Sequence, residues 1–185
     1  SGGRTPKPVF AALAREPFAP SLAARLAYTD ERHVPPHDPQ SNYGDSLEMV
    51  RALGLPREHV LHVHTELPLE QAATRYHEDL ARFLEHNGRI TAAWLGLGAD
   101  GHTCSLFTPE DLERAPGRYA AAVSRPAGPA RVTVTPALLE RVERAVFVVA
   151  GAEKKPVVER LLSAPEELVA GRAVARCPRV ELWWA

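Results

Sequence analysis

The sequence predicts an α/β fold, doubly wound, with a mostly parallel sheet and helices on both faces. Three observations predict it. Short apolar runs alternate with amphipathic stretches along the 185 residues, the pattern of a chain passing repeatedly from strand to helix. Two of those runs, "TAAWLGL" and "AVFVVA", are apolar throughout, as strands covered on both faces are. Glycines, prolines and charged residues gather behind the strands, where sheets of this class place their ligands.

The elements follow in order. Ser1-Gly2-Gly3-Arg4 reads as a glycine-rich turn entering a helix, with Thr5 expected as N-cap and Pro6 at the first helical position. A strand is expected at Arg25–Thr29, then a loop with Asp30, Glu31 and Arg32, stiffened by Pro35-Pro36. "SNYGDSLEMVRAL" reads as a helix capped by Ser41 or Asn42. After a strand at His59–His64, "LPLEQAATRYHEDLARFLEHNG" sets Leu69, Ala72, Ala73, Tyr76, Leu80 and Phe83 at helical spacing, and Asn87-Gly88 stops it. Further strands are expected at Ile90–Leu97, Ala120–Ser124, Val132–Thr135, Ala145–Ala150 and Val180–Trp184. The proline-rich patches Pro35–Pro39 and Arg125–Pro129 read as loops, not interdomain linkers.

Composition narrows the function classes. A length of 185 residues fits one domain with a proper core. Net charge is −1, so no global field favours nucleic acid or a membrane surface. An anionic substrate must then be met by a local cluster of Lys and Arg. Cys104 and Cys177 lie far apart without metal-like spacing and read as reduced thiols. No apolar run approaches the ~18 residues that span a bilayer. The expectation is a cytoplasmic protein, a monomer or weak dimer, with neither nucleic acid nor membrane as partner.

One loop raises the question of chemistry. "WLGLGADGHTCSLF" contains Gly96-Leu97-Gly98-Ala99-Asp100-Gly101, which matches the G-x-G-x-x-G fingerprint of dinucleotide sites. That fingerprint needs a helix opening at its third glycine to receive the pyrophosphate. Pro109 arrives too soon for it, and "YAAAVSR" supplies no carboxylate at the distance where the ribose would need one. The other reading is a tight turn presenting Asp100 and His102, a base with a carboxylate to orient it. An ordinary turn with an exposed histidine would fit the same residues. Cationic candidates stand in other loops: Arg32 after the first strand, Arg131 at the head of "RVTVTP", and Lys154 behind Gly151. Arg offers a planar fork for phosphate, and Ser1–Thr5 is an anion-binding turn if its helix N-terminus faces the ligand. Singly, each also reads as a solvated surface charge or a cap.

Together, "SGGRTPKPVFAALA", "DERHVPPHDPQSNYG", "AATRYHEDL", "LGLGADGHTCSLFTP", "RVTVTPALLERVERAVFVVAGAEKKPVVERLL" and "ELWWA" closely resemble the 6-phosphogluconolactonase family, in its order and over nearly the whole chain. The resemblance implies hydrolysis of 6-phospho-D-glucono-1,5-lactone to 6-phosphogluconate in the oxidative pentose phosphate pathway. It implies His102 as general base, with Asp100 and Asp30 as carboxylates shaping the site. Gly2, Gly3, Thr5, Arg32, Ser41, Asn42, Gly98, Arg131 and Lys154 would hold the phosphate and sugar. No cofactor and no metal are implied. The chain departs from the family pattern at Arg4, where Ser or Thr is usual. Residues 1–185 would form one domain lacking the family's N-terminal strand and helix and its C-terminal helix. The related glucosamine-6-phosphate deaminases continue D-G-H into an N-E-P segment. Here "TCSLFTP" follows, with no Glu before Glu110. A non-catalytic sugar-phosphate sensor would keep the phosphate loops without needing the base.

Overall fold

In the computed structural model, which describes residues 6–125 and 127–185, α1 (Pro6–Arg15) leads to β1 (Leu26–Ala27), β2 (Asp30–Arg32), α2 (Asn42–Ala52), β3 (Val60–Leu61), α3 (Leu69–Glu85) and β4 (Ala93–Leu95). There follow α4 (Pro109–Glu113), β5 (Ala120–Val123), β6 (Arg131–Val134), α5 (Pro136–Leu139), β7 (Ala145–Val149), α6 (Lys155–Ser163), α7 (Val169–Ala173) and β8 (Val180–Trp184). Gly2, Gly3, Arg4 and Thr5, with the expected N-cap, lie outside the described residues.

Among the described residues the strands form three small sheets in a mixed α/β fold. β1 pairs with β3 in parallel, and β4, β7 and β8 form a parallel sheet in the order β4-β7-β8. The third sheet, β2-β6-β5, is antiparallel. The loop joining β5 to β6 is too short for the crossover that parallel neighbours need, so the two strands must fold back on each other. β2 corrects the sequence expectation of a loop at Asp30–Arg32. Its residues pair with β6 as Asp30↔Thr133, Glu31↔Val132 and Arg32↔Arg131. Charged residues are poor strand formers, but here the buried carboxylates find donors, as described below.

The helix signals translate directly. Ser41 is the N-cap of α2, its hydroxyl accepting from Gly44 N at 3.0 Å. α3 buries Ala72, Ala73, Tyr76 and Leu80 on the spacing expected and packs on β5 and β6. Past its end Asn87 takes the left-handed conformation, with φ 61°, which an Asn stop permits. The main core joins that face to Leu95, Leu106, Phe147, Val158 and Leu168. A smaller cluster of Tyr28, Met49, Val50 and Val60 is covered by Phe10 and Leu13 of α1. Among the described residues no helix is long and apolar enough to cross a membrane.

Candidate active site

β4 ends at Leu95, and the chain then runs as an irregular loop until α4 opens at Pro109. No helix starts at Gly101, so the glycine fingerprint lacks the N-terminus that a pyrophosphate requires. The loop closes on itself instead: Gly98 N donates to His102 O at 2.8 Å and Gly101 N to Gly98 O at 3.0 Å. Gly101 adopts φ 85°, a region that L side chains rarely enter. A Cβ at Gly98 would overlap His102 Nδ1 and Asp100 Oδ1. The glycines therefore clear space for an imidazole and a carboxylate.

Those two groups meet. His102 Nδ1 and Asp100 Oδ1 are 2.5 Å apart, and the His102 amide donates to the same oxygen at 3.3 Å. Burial by itself would raise the Asp100 carboxyl. The hydrogen bond and charge of His102 outweigh it together with backbone donors, and hold that carboxyl below its ordinary value. A carboxylate accepting at Nδ1 fixes the ring proton there and leaves Nε2 as the acceptor. Among the described residues Nε2 has no hydrogen-bond partner, and the side chain keeps 28% of its surface exposed. Cys104, two residues on, is not a rival nucleophile, because burial pushes its thiol up to about 12.

Asp30 approaches the same loop from β2. Its Oδ2 accepts from Ser105 Oγ at 2.8 Å, while Asn42 Nδ2 donates to Asp30 O at 2.8 Å and to Oδ1 at 3.4 Å. Ser105 N donates in turn to Thr133 Oγ1 at 3.1 Å. All four residues are buried. Glu31, which the sequence grouped with Asp30, faces the opposite way. Its carboxylate accepts from the backbone N–H of Arg32, Asn42 and Tyr43 and from Ser41 Oγ, so it anchors the start of α2. Burial pushes its carboxyl up against those donors. Ser41 is thereby used as a cap and a Glu31 partner. Asn42 Oδ1 and Arg32 Nε are buried without a partner among the described residues, unusual for native polar groups away from a ligand site.

The cations flank these carboxylates. Arg32 lies opposite Arg131 across β2 and β6. Each spends one contact on backbone, Arg32 Nη1 to Gln40 O at 2.7 Å and Arg131 Nε to Pro129 O at 3.3 Å. Lys154 Nζ donates to Leu97 O at 2.8 Å, at the base of the His102 loop. Gly2, Gly3 and Thr5 lie outside the described residues. The sequence reading passed over Ser105, Thr133 and Phe107. Ser105 stands in the singled-out loop, but its partner is 75 positions away and nothing local signals the contact. A cavity of about 640 Å³ lies elsewhere, walled by Leu112, Pro116, Thr135, Arg172 and Arg176, and no histidine lines it. Among the described residues no group of three or more His, Cys, Asp or Glu is set to hold a metal ion.

Comparison with known proteins identifies the family of the chain. Residues 1–184 match the family described as glucosamine-6-phosphate isomerases/6-phosphogluconolactonase. The chain is 31% identical to the 6-phosphogluconolactonase of Haemophilus influenzae, over 90% of this chain and 73% of the relative. It is 33% identical to that of Homo sapiens, over 93% of this chain and 72% of the relative. A crystal structure of 6-phosphogluconolactonase from Thermotoga maritima superposes with a TM-score of 0.85 at 29% identity, covering 99% of this chain and 82% of that one.

Proposed function

The chain belongs to the glucosamine-6-phosphate isomerase/6-phosphogluconolactonase family, and from that premise we propose that it hydrolyses 6-phospho-D-glucono-1,5-lactone to 6-phospho-D-gluconate, with His102 as general base. The observation that carries the proposal is the Asp100–His102 contact at 2.5 Å, which leaves Nε2 free to accept a proton. Curated relatives named 6-phosphogluconolactonase favour the lactonase branch over the isomerases.

The reaction needs little more than this pair. A water held at Nε2 attacks the lactone carbonyl carbon, forming the new C–O bond as its proton passes to His102. Collapse of the tetrahedral intermediate breaks the bond between that carbon and the ring oxygen. The imidazolium then returns its proton to the departing oxygen, which becomes the 5-hydroxyl, and the product acid releases its own proton to solvent. Asp100 supports the imidazolium while it exists. A lactone ester is already reactive, so no covalent nucleophile is required. Arg32, Arg131 and Lys154, with Gly2, Gly3 and Thr5, hold the phosphate and sugar. Asp30, Asn42 and Gly98 shape the floor beneath them.

The same reading treats the sheets as parts of one doubly wound domain in the cytoplasm. The parallel order β4-β7-β8 and two free cysteines support it. The test is a lactonase assay coupled to 6-phosphogluconate dehydrogenase, with spontaneous hydrolysis subtracted. Turnover above the blank is expected. A rate equal to the blank would refute the proposal.

A further inference from the structure

Arg125 has no role in the site as described so far. It follows β5 by two residues, and its Cζ lies 4.0 Å from the centre of the Phe107 ring. Phe107 in turn lies 4.7 Å from the His102 ring, tilted by 54°. A guanidinium laid on an aromatic face keeps the N–H groups at its edge free to donate. The stack thus fixes a bidentate donor one ring away from the proposed base.

Arg125 is also the third member of a cationic group. Val123 of β5 lies opposite Arg131, and Arg131 opposite Arg32. The Arg131 guanidinium is pushed down first by burial and then by the charge of Arg32. Arg125 adds to that effect, while Asp30 and Glu31 oppose it. Among the described residues none of these three arginines has a carboxylate within ion-pair distance, and the buried Arg32 Nε has no partner. Like charges gathered without a neutralising partner raise the energy of the empty protein, and a bound dianion relieves that cost.

We infer that Arg125 is a substrate-binding residue that selects for the phosphorylated lactone, joining Arg32 and Arg131 around one anionic group beside His102. This rests on the reaction proposed above. Because Phe107 holds the guanidinium in place before substrate arrives, little side-chain freedom is lost on binding. A lysine would keep the charge but lose both the stack and the fork.

The test compares wild type, Arg125→Ala and Arg125→Lys on 6-phosphogluconolactone and on unphosphorylated glucono-1,5-lactone. Arg125→Ala is expected to raise KM for the phosphorylated substrate by about 10- to 100-fold, the loss of one charge-assisted contact. KM for the unphosphorylated lactone should move by about twofold or less, and Arg125→Lys should recover part of the loss. An equal effect on both substrates, or a fall in kcat alone, would overturn the binding role and show Arg125 acting through Phe107 on His102. If wild type turns over neither lactone, the proposed reaction fails. Calorimetry with 6-phosphogluconate and inorganic phosphate then decides separately: weaker binding in Arg125→Ala supports the anion subsite, and unchanged binding overturns it.

Discussion

Ser105 Oγ donates to Asp30 Oδ2 at 2.8 Å, and this buried contact ties the His102 loop to strand β2. Ser105 lies three positions after His102 in the same loop, so this contact holds the loop against the antiparallel sheet. Ser105→Ala leaves a buried carboxylate oxygen without that donor. Such a loss costs about 1–3 kcal/mol, to be read as a lower denaturant midpoint. An unchanged midpoint would show that solvent replaces the hydroxyl at no cost.

Gly98→Ala is expected to cost activity out of proportion to one methyl group. The new Cβ would overlap both His102 Nδ1 and Asp100 Oδ1, so the pair must separate. kcat should fall by about 10²-fold or more while the melting temperature changes little. Retained kcat would mean that the loop re-forms around the methyl with the pair intact.

Asp100→Asn removes the negative charge that supports the imidazolium, although its amide oxygen can still accept from Nδ1 and from the His102 amide. A loss of about 10²-fold or more in kcat is expected. The folding stability carries its own signature. A carboxyl held below its ordinary value in the folded state contributes stability that is present above the unfolded value and lost as pH falls through the folded one. Asp100→Asn should flatten that acid-side slope of stability. An identical slope in the mutant would assign the slope to other carboxyls.

Arg32→Ala separates binding from chemistry. KM for the phosphorylated lactone should rise about 10-fold or more, far above any change with unphosphorylated gluconolactone. Equal effects on the two substrates would remove Arg32 from the phosphate site.

How much of this was legible in the sequence varies with the range of the interaction. The face of α3 and its Asn87 stop were readable because residues three and four apart meet on a helix. The Asp100–His102 pair was readable as a candidate because both members lie in one turn. β2 was missed because "DER" carries no strand signal of its own. It becomes a strand only by pairing with β6, about a hundred positions away. For the same reason Asp30 and Glu31, adjacent in sequence, could not be told apart. Alternate side chains of a strand point to opposite faces, so Asp30 takes the hydroxyl of Ser105 and the Asn42 side chain, while Glu31 takes the backbone N–H groups that open α2. Arg125 read as part of a proline-rich loop, since its stack on Phe107 exists only once β5 and the His102 loop are neighbours.

The central claim is that His102 Nε2 takes the proton from water, and the most direct measurement is the pH dependence of kcat in wild type and His102→Asn. The asparagine fills similar space and can still hydrogen-bond, so folding and binding of 6-phosphogluconate should persist. A general base acts only in its unprotonated form, so wild-type kcat should show an acid limb. In His102→Asn, kcat should drop by about 10²–10⁴-fold and the acid limb should vanish, once spontaneous hydrolysis is subtracted. Near wild-type turnover in the mutant, or an acid limb that survives the substitution, would contradict the account and transfer the base to Asp30 or Asp100.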